Sequence, residues 1–241
     1  EYEGVARPIE EMNAAWDAAA KDYAALVRYY RLVWAANPTN FLTAMTSSNA
    51  LRFRTGLSPR NWTLTTDETA RNAMSACAYY FGMKLREEVP GVPVGVVVAS
   101  MGATIITWHM TPETVATEKA AGRVYNADAS KCWNAMLNPI RKGSFRGAIW
   151  YQGCSNGGED ESYAVKLKAL ARSWRKAWGY DFPFYVVQLS SFYPQVTTPE
   201  GGDKYARIRD AQRRAVAEIP DSGLVVTIDI GNAGDIHPKN K

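Results

Sequence analysis

Four short apolar runs mark the second part of the chain, and helical spacing fills the gaps between them. The runs are Val94 to Ala99, Gly147 to Gln152, Phe184 to Leu189, and "GLVVTIDIG" from Gly223 to Gly231. They are rich in Val and Ile and apolar at successive positions, the pattern of strands buried on both faces of a parallel sheet. Asp67 to Val89, "EDESYAVKLKALARSWRKAW" over 159–178, and Lys204 to Glu218 read as helices. Strands therefore alternate with helices from residue 67 onward. That order predicts an α/β fold: a doubly wound, mainly parallel sheet with helices on both faces, a three-layer sandwich. No internal repeat or interdomain linker interrupts it, so 1–241 reads as one domain.

The first part of the chain has a different rhythm. Met12, Trp16, Ala19, Tyr23, Leu26, Tyr30 and Val33 recur in steps of four and three, which predicts one long helix over Pro8 to Asn37. Glu10 and Glu11 open it, Arg28 and Arg31 lie near its end, and Asn37-Pro38 stops it. Residues 38–66 are polar and irregular, with a short strand expected at Ala50 to Arg54.

Composition narrows the function classes. Hydrophobic residues make up 46% and charged residues 22%, which is ordinary for a globular chain. The net charge of +4 comes from 28 basic and 24 acidic residues mixed along the chain. No polybasic block and no apolar run of membrane-spanning length occurs, so neither nucleic acid nor a membrane is an expected partner. Cys77, Cys132 and Cys154 lie far apart and form neither a disulfide framework nor a metal-ligand spacing. No metal or cofactor is expected. Cys154 is read as inert packing rather than a nucleophile.

In a doubly wound sheet the reactive groups gather beyond the carboxyl ends of the strands. Those ends read "ASMGAT", "YQGCSNGG", "QLSSF" and "DIGNAGDIHP", and they are expected to converge on one crevice. The last holds Asp235 and His237, a carboxylate and an imidazole that suggest a general base with its orienting acid. His109, the other histidine, is read as a surface or structural residue. "GCSNG", Gly153 to Gly157, matches the G-x-S-x-G nucleophile elbow and follows a strand, which makes Ser155 a candidate nucleophile of an α/β-hydrolase. Against this, Asn156, Gly157, Gly158 and an acidic pair intervene before the helix begins. Ser48 in "TSSNAL" is a further candidate.

The motifs also carry a resemblance. "WYQGCSN" looks like the W-Y-Q-G-E-S-N block of the sialate O-acetylesterase family, within the SGNH hydrolases. "VPVGVVVASMGATIITW", "SACAYYFG", "LNPI", "FPFYVVQLSSF", "IRDAQRRA" and "DIHPKNK" resemble further family segments in the same order, from about residue 50 to the C-terminus. The resemblance implies an SGNH-type, flavodoxin-like sandwich and a serine esterase that removes O-acetyl groups from a carbohydrate, sialic acid or a plant-type polysaccharide. It implies His237 as the base and Asp235 as its partner, with Asp229 as the alternative. It implies an oxyanion hole of the Gly102 amide, the serine's own amide and a side-chain amide, Gln152 or Asn156, with Gln152 favoured because it closes the strand. The family's G-Q-S-N-M serine block is absent from 1–241. The nucleophile is therefore expected upstream of residue 1, in a chain trimmed at both ends, with 8–37 a possible insertion. Family members are often exported, which makes a secreted or periplasmic location the expectation. Cys154 stands where the family usually has Glu. A non-catalytic carbohydrate-binding relative is the reading from another class.

Overall fold

The computed structural model describes residues 27–31, 63–64, 75–126, 129–194 and 204–237. The chain divides into two compact units, the first comprising Glu1–Gly102 and Lys131–Gly143, the second Ala103–Ser130 and Ser144–Lys241.

In the first unit, β1 (Val27–Arg31) lies between β2 (Thr63–Leu64), antiparallel to it, and β3 (Val94–Val98), parallel to it from Val27↔Val94 to Arg31↔Val98. This corrects the helix expected over 8–37, because its residues 27–31 are a strand and the remainder lies outside the described residues. "VRYYR" is β-branched and aromatic, and pairing with the Val-rich β3 outweighs a helical spacing that short segments satisfy by chance. The strand expected at Ala50–Arg54 also lies outside the described residues. Helix α1 (Ala76–Glu88) is the described part of the helix expected over 67–89, and the Ser75 hydroxyl accepts the Ala78 N–H at its start. Ala78 and Tyr79 of this helix pack on Val98 of β3.

In the second unit, β4 (Ala148–Trp150), β5 (Phe184–Val187) and β6 (Ser222–Val225) form a parallel sheet in the order β4-β5-β6. β6 is shorter than its sequence run. Val225 and Val226 are exposed, and Ile228–Ile230 turns into a 3₁₀ helix. The pairing with β5 ends at Val225, so among the described residues no strand ladder continues along "TIDI".

Helix α2 (Pro112–Ala120) was not anticipated, although "TPET" carries its start signals. Thr111 caps the Thr114 N–H, Pro112 opens the first turn and Glu113 suits the positive end of the dipole. Helix α3 (Asp160–Trp178) buries Tyr163, Leu167, Leu170 and Trp174 along one face and ends at Gly179 in the left-handed conformation. Each such Leu is worth about 1.5–3 kcal/mol. The Trp174 ring stands edge-on to Trp150 of β4 and Phe184 of β5, with centroids 5.7 Å away in each case, which seats α3 on the sheet. Helix α4 (Lys204–Glu218) packs against α3 and β6, burying Ile208, Ala211 and Ala215.

Candidate active site

Side chains tie the carboxyl ends of the second unit's strands together. Gln212 of α4 donates from Nε2 to the Gln152 carbonyl beyond β4 (3.0 Å), and its Oε1 accepts the Leu189 N–H beyond β5 (3.0 Å). Beyond β6, the Thr227 hydroxyl donates to the Gln188 carbonyl (2.7 Å). The loop after β5 then runs along the loop after β6. The Tyr193 N–H donates to the Ala233 carbonyl (3.1 Å), and a Cβ on Gly231 would fall within the backbone and hydroxyl of Ser191. The expected convergence of strand ends therefore holds for β4, β5 and β6.

After β4 the chain turns at Gly153, with φ near 150°. A Cβ there would sit 2.9 Å from Ile208 Cγ2 and 3.0 Å from Leu189 Cδ1, so glycine alone fits the bend. The turn delivers Cys154–Asn156 as a single 3₁₀ turn and buries Asn156 to 1% exposure.

Asn156 is held by an unusual division of partners. Its Oδ1 accepts the Ile106 N–H at 3.0 Å and Gln152 Nε2 at 2.7 Å. A backbone N–H can only donate, so the atom facing Ile106 is the carbonyl oxygen and the orientation of the amide is fixed. Asn156 Nδ2 is then left buried with no hydrogen-bond partner among the described residues. Gln152 is the opposite case. Its Nε2 also donates to the Thr104 carbonyl (2.9 Å), so both amide hydrogens are engaged. Its Oε1 accepts the Tyr163 hydroxyl at 3.1 Å. A buried donor left unmade costs about 1–3 kcal/mol and calls for an explanation.

Tyr163 is fully buried, its hydroxyl accepts the Trp150 Nε1–H, and burial pushes its pKa well above the usual phenol range. His109 is buried rather than exposed. Its Nε2 shares a 3.1 Å hydrogen bond with the Thr104 hydroxyl, and its ring stands edge-on to Trp150. Burial pushes its pKa down to about 3, so the ring is neutral at physiological pH. It braces Thr104, whose carbonyl holds Gln152.

The other expected residues are placed as follows. His237 and Asp235 are exposed on the loop after β6, and Asp235 Oδ1 accepts the His237 backbone N–H at 2.8 Å. Among the described residues, no hydrogen bond joins the His237 ring to a carboxylate. Asp229 is exposed on the 3₁₀ turn. Ser155 is exposed in the 3₁₀ turn, and it is not among the non-glycine residues with positive φ, so it lacks the strained backbone of a nucleophile elbow. Ser48 lies outside the described residues. Gly102 is exposed in the turn after β3, in the first unit. None of the three cysteines is in a disulfide. Among the described residues, no group of three His, Cys, Asp or Glu is placed to hold a metal ion, and no helix is long and apolar enough to cross a membrane.

Sequence reasoning passed over Tyr163 and Gln212. Both are polar residues on otherwise apolar helical stripes, with Leu167 and Leu170 beside the first and Ile208 and Ala215 beside the second. A polar atom at such a position must find a partner, and that is the signal available before a structure.

A sequence model of the family described as carbohydrate esterase, sialic acid-specific acetylesterase, matches residues 23–241. The chain belongs to this family. It is 26% identical over 220 residues to the sialate O-acetylesterase of Mus musculus, covering 70% of this chain and 40% of that protein. It is 27% identical over 191 residues to the Homo sapiens protein of the same name, covering 70% and 36%. Among solved structures, a carbohydrate acetylesterase from Xanthomonas citri superposes with a TM-score of 0.70 at 26% identity, over 97% of this chain and 49% of that one. The chain thus spans half or less of the length of these relatives. The α/β fold expected from the strand–helix alternation is the fold found, and the family resembled is the family matched.

Proposed function

We propose that the protein containing these residues is a serine esterase that removes O-acetyl groups from a carbohydrate. The observation that carries this reading is the buried Nδ2 of Asn156, a donor fixed in orientation and left without a partner. Such a donor suits a negative charge that exists only during reaction, the oxyanion of a tetrahedral acetyl intermediate. Of the two side-chain amides expected from the sequence, Asn156 takes this role and Gln152 holds it in place, because both Gln152 hydrogens are already in use.

The remaining steps use the loop after β6. A serine attacks the acetyl carbonyl, and His237 accepts its proton and passes it to the departing sugar hydroxyl. Water then cleaves the acyl-enzyme with His237 again as base. Asp235 fixes the loop through the His237 N–H, and its second oxygen is assigned to the imidazole. The nucleophile is assigned to sequence outside 1–241. The relaxed backbone of Ser155 and the greater length of the relatives support that assignment.

The test is acetate release from O-acetylated sialic acid and from an acetylated oligosaccharide. A chain extended upstream to include the proposed serine is compared with residues 1–241 alone. We expect turnover only from the former, abolished by His237→Ala and untouched by Ser155→Ala. Full activity from 1–241, lost in Ser155→Ala, would replace this reading with an α/β-hydrolase. Sugar binding without acetate release from the extended chain would replace it with a binding protein.

A further inference from the structure

Tyr193 combines three features that the proposed chemistry does not use. Its φ is 72°, the left-handed region that a bulky aromatic residue rarely adopts. Its side chain is half exposed, at 50%. Its N–H is bonded to Ala233, four residues before His237. Such strain persists only where the surroundings impose it, and it concentrates at ligand clamps and active sites.

The surroundings here do impose it. The hydrogen bond to Ala233 and the close approach of Gly231 to Ser191 zip the Tyr193 loop along the loop of Asp235 and His237. The Tyr193 ring lies 4.2 Å from Phe192 and 5.5 Å from Tyr205, centroid to centroid. Tyr205 is buried and Phe192 half-buried, so the cluster is anchored below and open at Tyr193. An aromatic ring with a polar tip, held rigidly at a wet rim, loses little entropy when a ligand covers it.

We propose that Tyr193 is a sugar-stacking platform, its ring face receiving the apolar C–H face of a pyranose in the acetylated carbohydrate. This rests on the esterase reading for its ligand class. A pyranose fits the chemistry of the rim, since its C–H face covers the ring while its hydroxyls and that of Tyr193 stay in water. The platform acts on substrate binding, not on the acetyl group.

The experiment compares Tyr193→Gly and Tyr193→Phe in the extended chain on O-acetylated sialic acid, on an acetylated oligosaccharide and on 4-nitrophenyl acetate. Glycine accepts the backbone angle and removes only the ring. We expect Tyr193→Gly to raise KM for at least one sugar ester about tenfold, with kcat and the 4-nitrophenyl acetate rate within about twofold of wild type. Tyr193→Phe keeps the face and keeps the KM. Equal losses on all three substrates, or unchanged KM on both sugars, overturn the platform. Saturation-transfer NMR of the deacetylated sugars separates the two proposals. A sugar signal that vanishes in Tyr193→Gly, in a protein whose wild type shows no turnover, leaves the platform standing and removes the esterase reading.

Discussion

Gln152 and Asn156 face each other across one turn of chain, the amide nitrogen of the first 2.7 Å from the amide oxygen of the second. Gln152 gives up both hydrogens, and Asn156 keeps both of its own unused. One amide is therefore a bracket and the other a free donor, and each is open to its own test.

Asn156→Ala removes the free donor. Acetate release by the extended chain proposed above is expected to fall about 10²–10³-fold in kcat with KM little changed, the pattern of a contact made only in the transition state. Steady-state kinetics check it, with circular dichroism to confirm folding.

Gln152→Glu keeps the shape of the bracket but replaces two donors with acceptors. Asn156 Oδ1 then faces a carboxylate while the Ile106 N–H still holds it, and the repulsion is expected to push the Asn156 amide, and with it Nδ2, out of place. kcat falls as in Asn156→Ala. Protonation of that carboxylate restores one donor, so the ratio of variant to wild-type kcat rises as pH falls. A flat ratio across the pH profile means that Gln152 does not orient Asn156.

His109 makes stability depend on pH. Its folded pKa of about 3 lies below the ordinary value of 6.5, so the unfolded chain takes up a proton that the folded chain refuses. The contribution is complete above the unfolded pKa and is lost as pH falls from about 6.5 toward 3, at up to about 1.4 kcal/mol per pH unit. Thermal melts from pH 7 to pH 4 should show a steeper decline in wild type than in His109→Gln.

Gly153→Ala sets a Cβ against Ile208 and Leu189 at a backbone angle suited to glycine. Strain and overpacking together predict a loss of about 3 kcal/mol in chemical denaturation. The variant also displaces Asn156, so activity is expected to fall at temperatures where the protein is still folded.

Much of this was legible in the sequence because it depends on local pattern. The Val-rich runs at 94–99 and 184–189 and the stripe of α3 each match one period, and the structure places β3, β5 and α3 there. Val27–Arg31 misled because five residues fit both periods, and only pairing with β3 decides between them. The convergence beyond β4, β5 and β6 was also legible, since small polar residues close those runs. What no period records is which amide lends hydrogens and which keeps them. That choice between Gln152 and Asn156 is made by Ile106 and Thr104, distant in sequence and brought close only by the fold, and by Tyr163 on the following helix.

The two bonds of Gln212 have a further consequence. One side chain on α4 grips the chain beyond β4 and the chain beyond β5 at once, so lifting the helix releases a hold on both strand ends together. The proposed chemistry is then sensitive to the seating of this helix as well as to the survival of the sheet beneath it. On warming, the chemistry should fall silent when the amides of α4 begin to exchange with solvent, while β4 and β5 are still paired. Such a protein would carry its own thermal cut-off, set where a glutamine loses its hold.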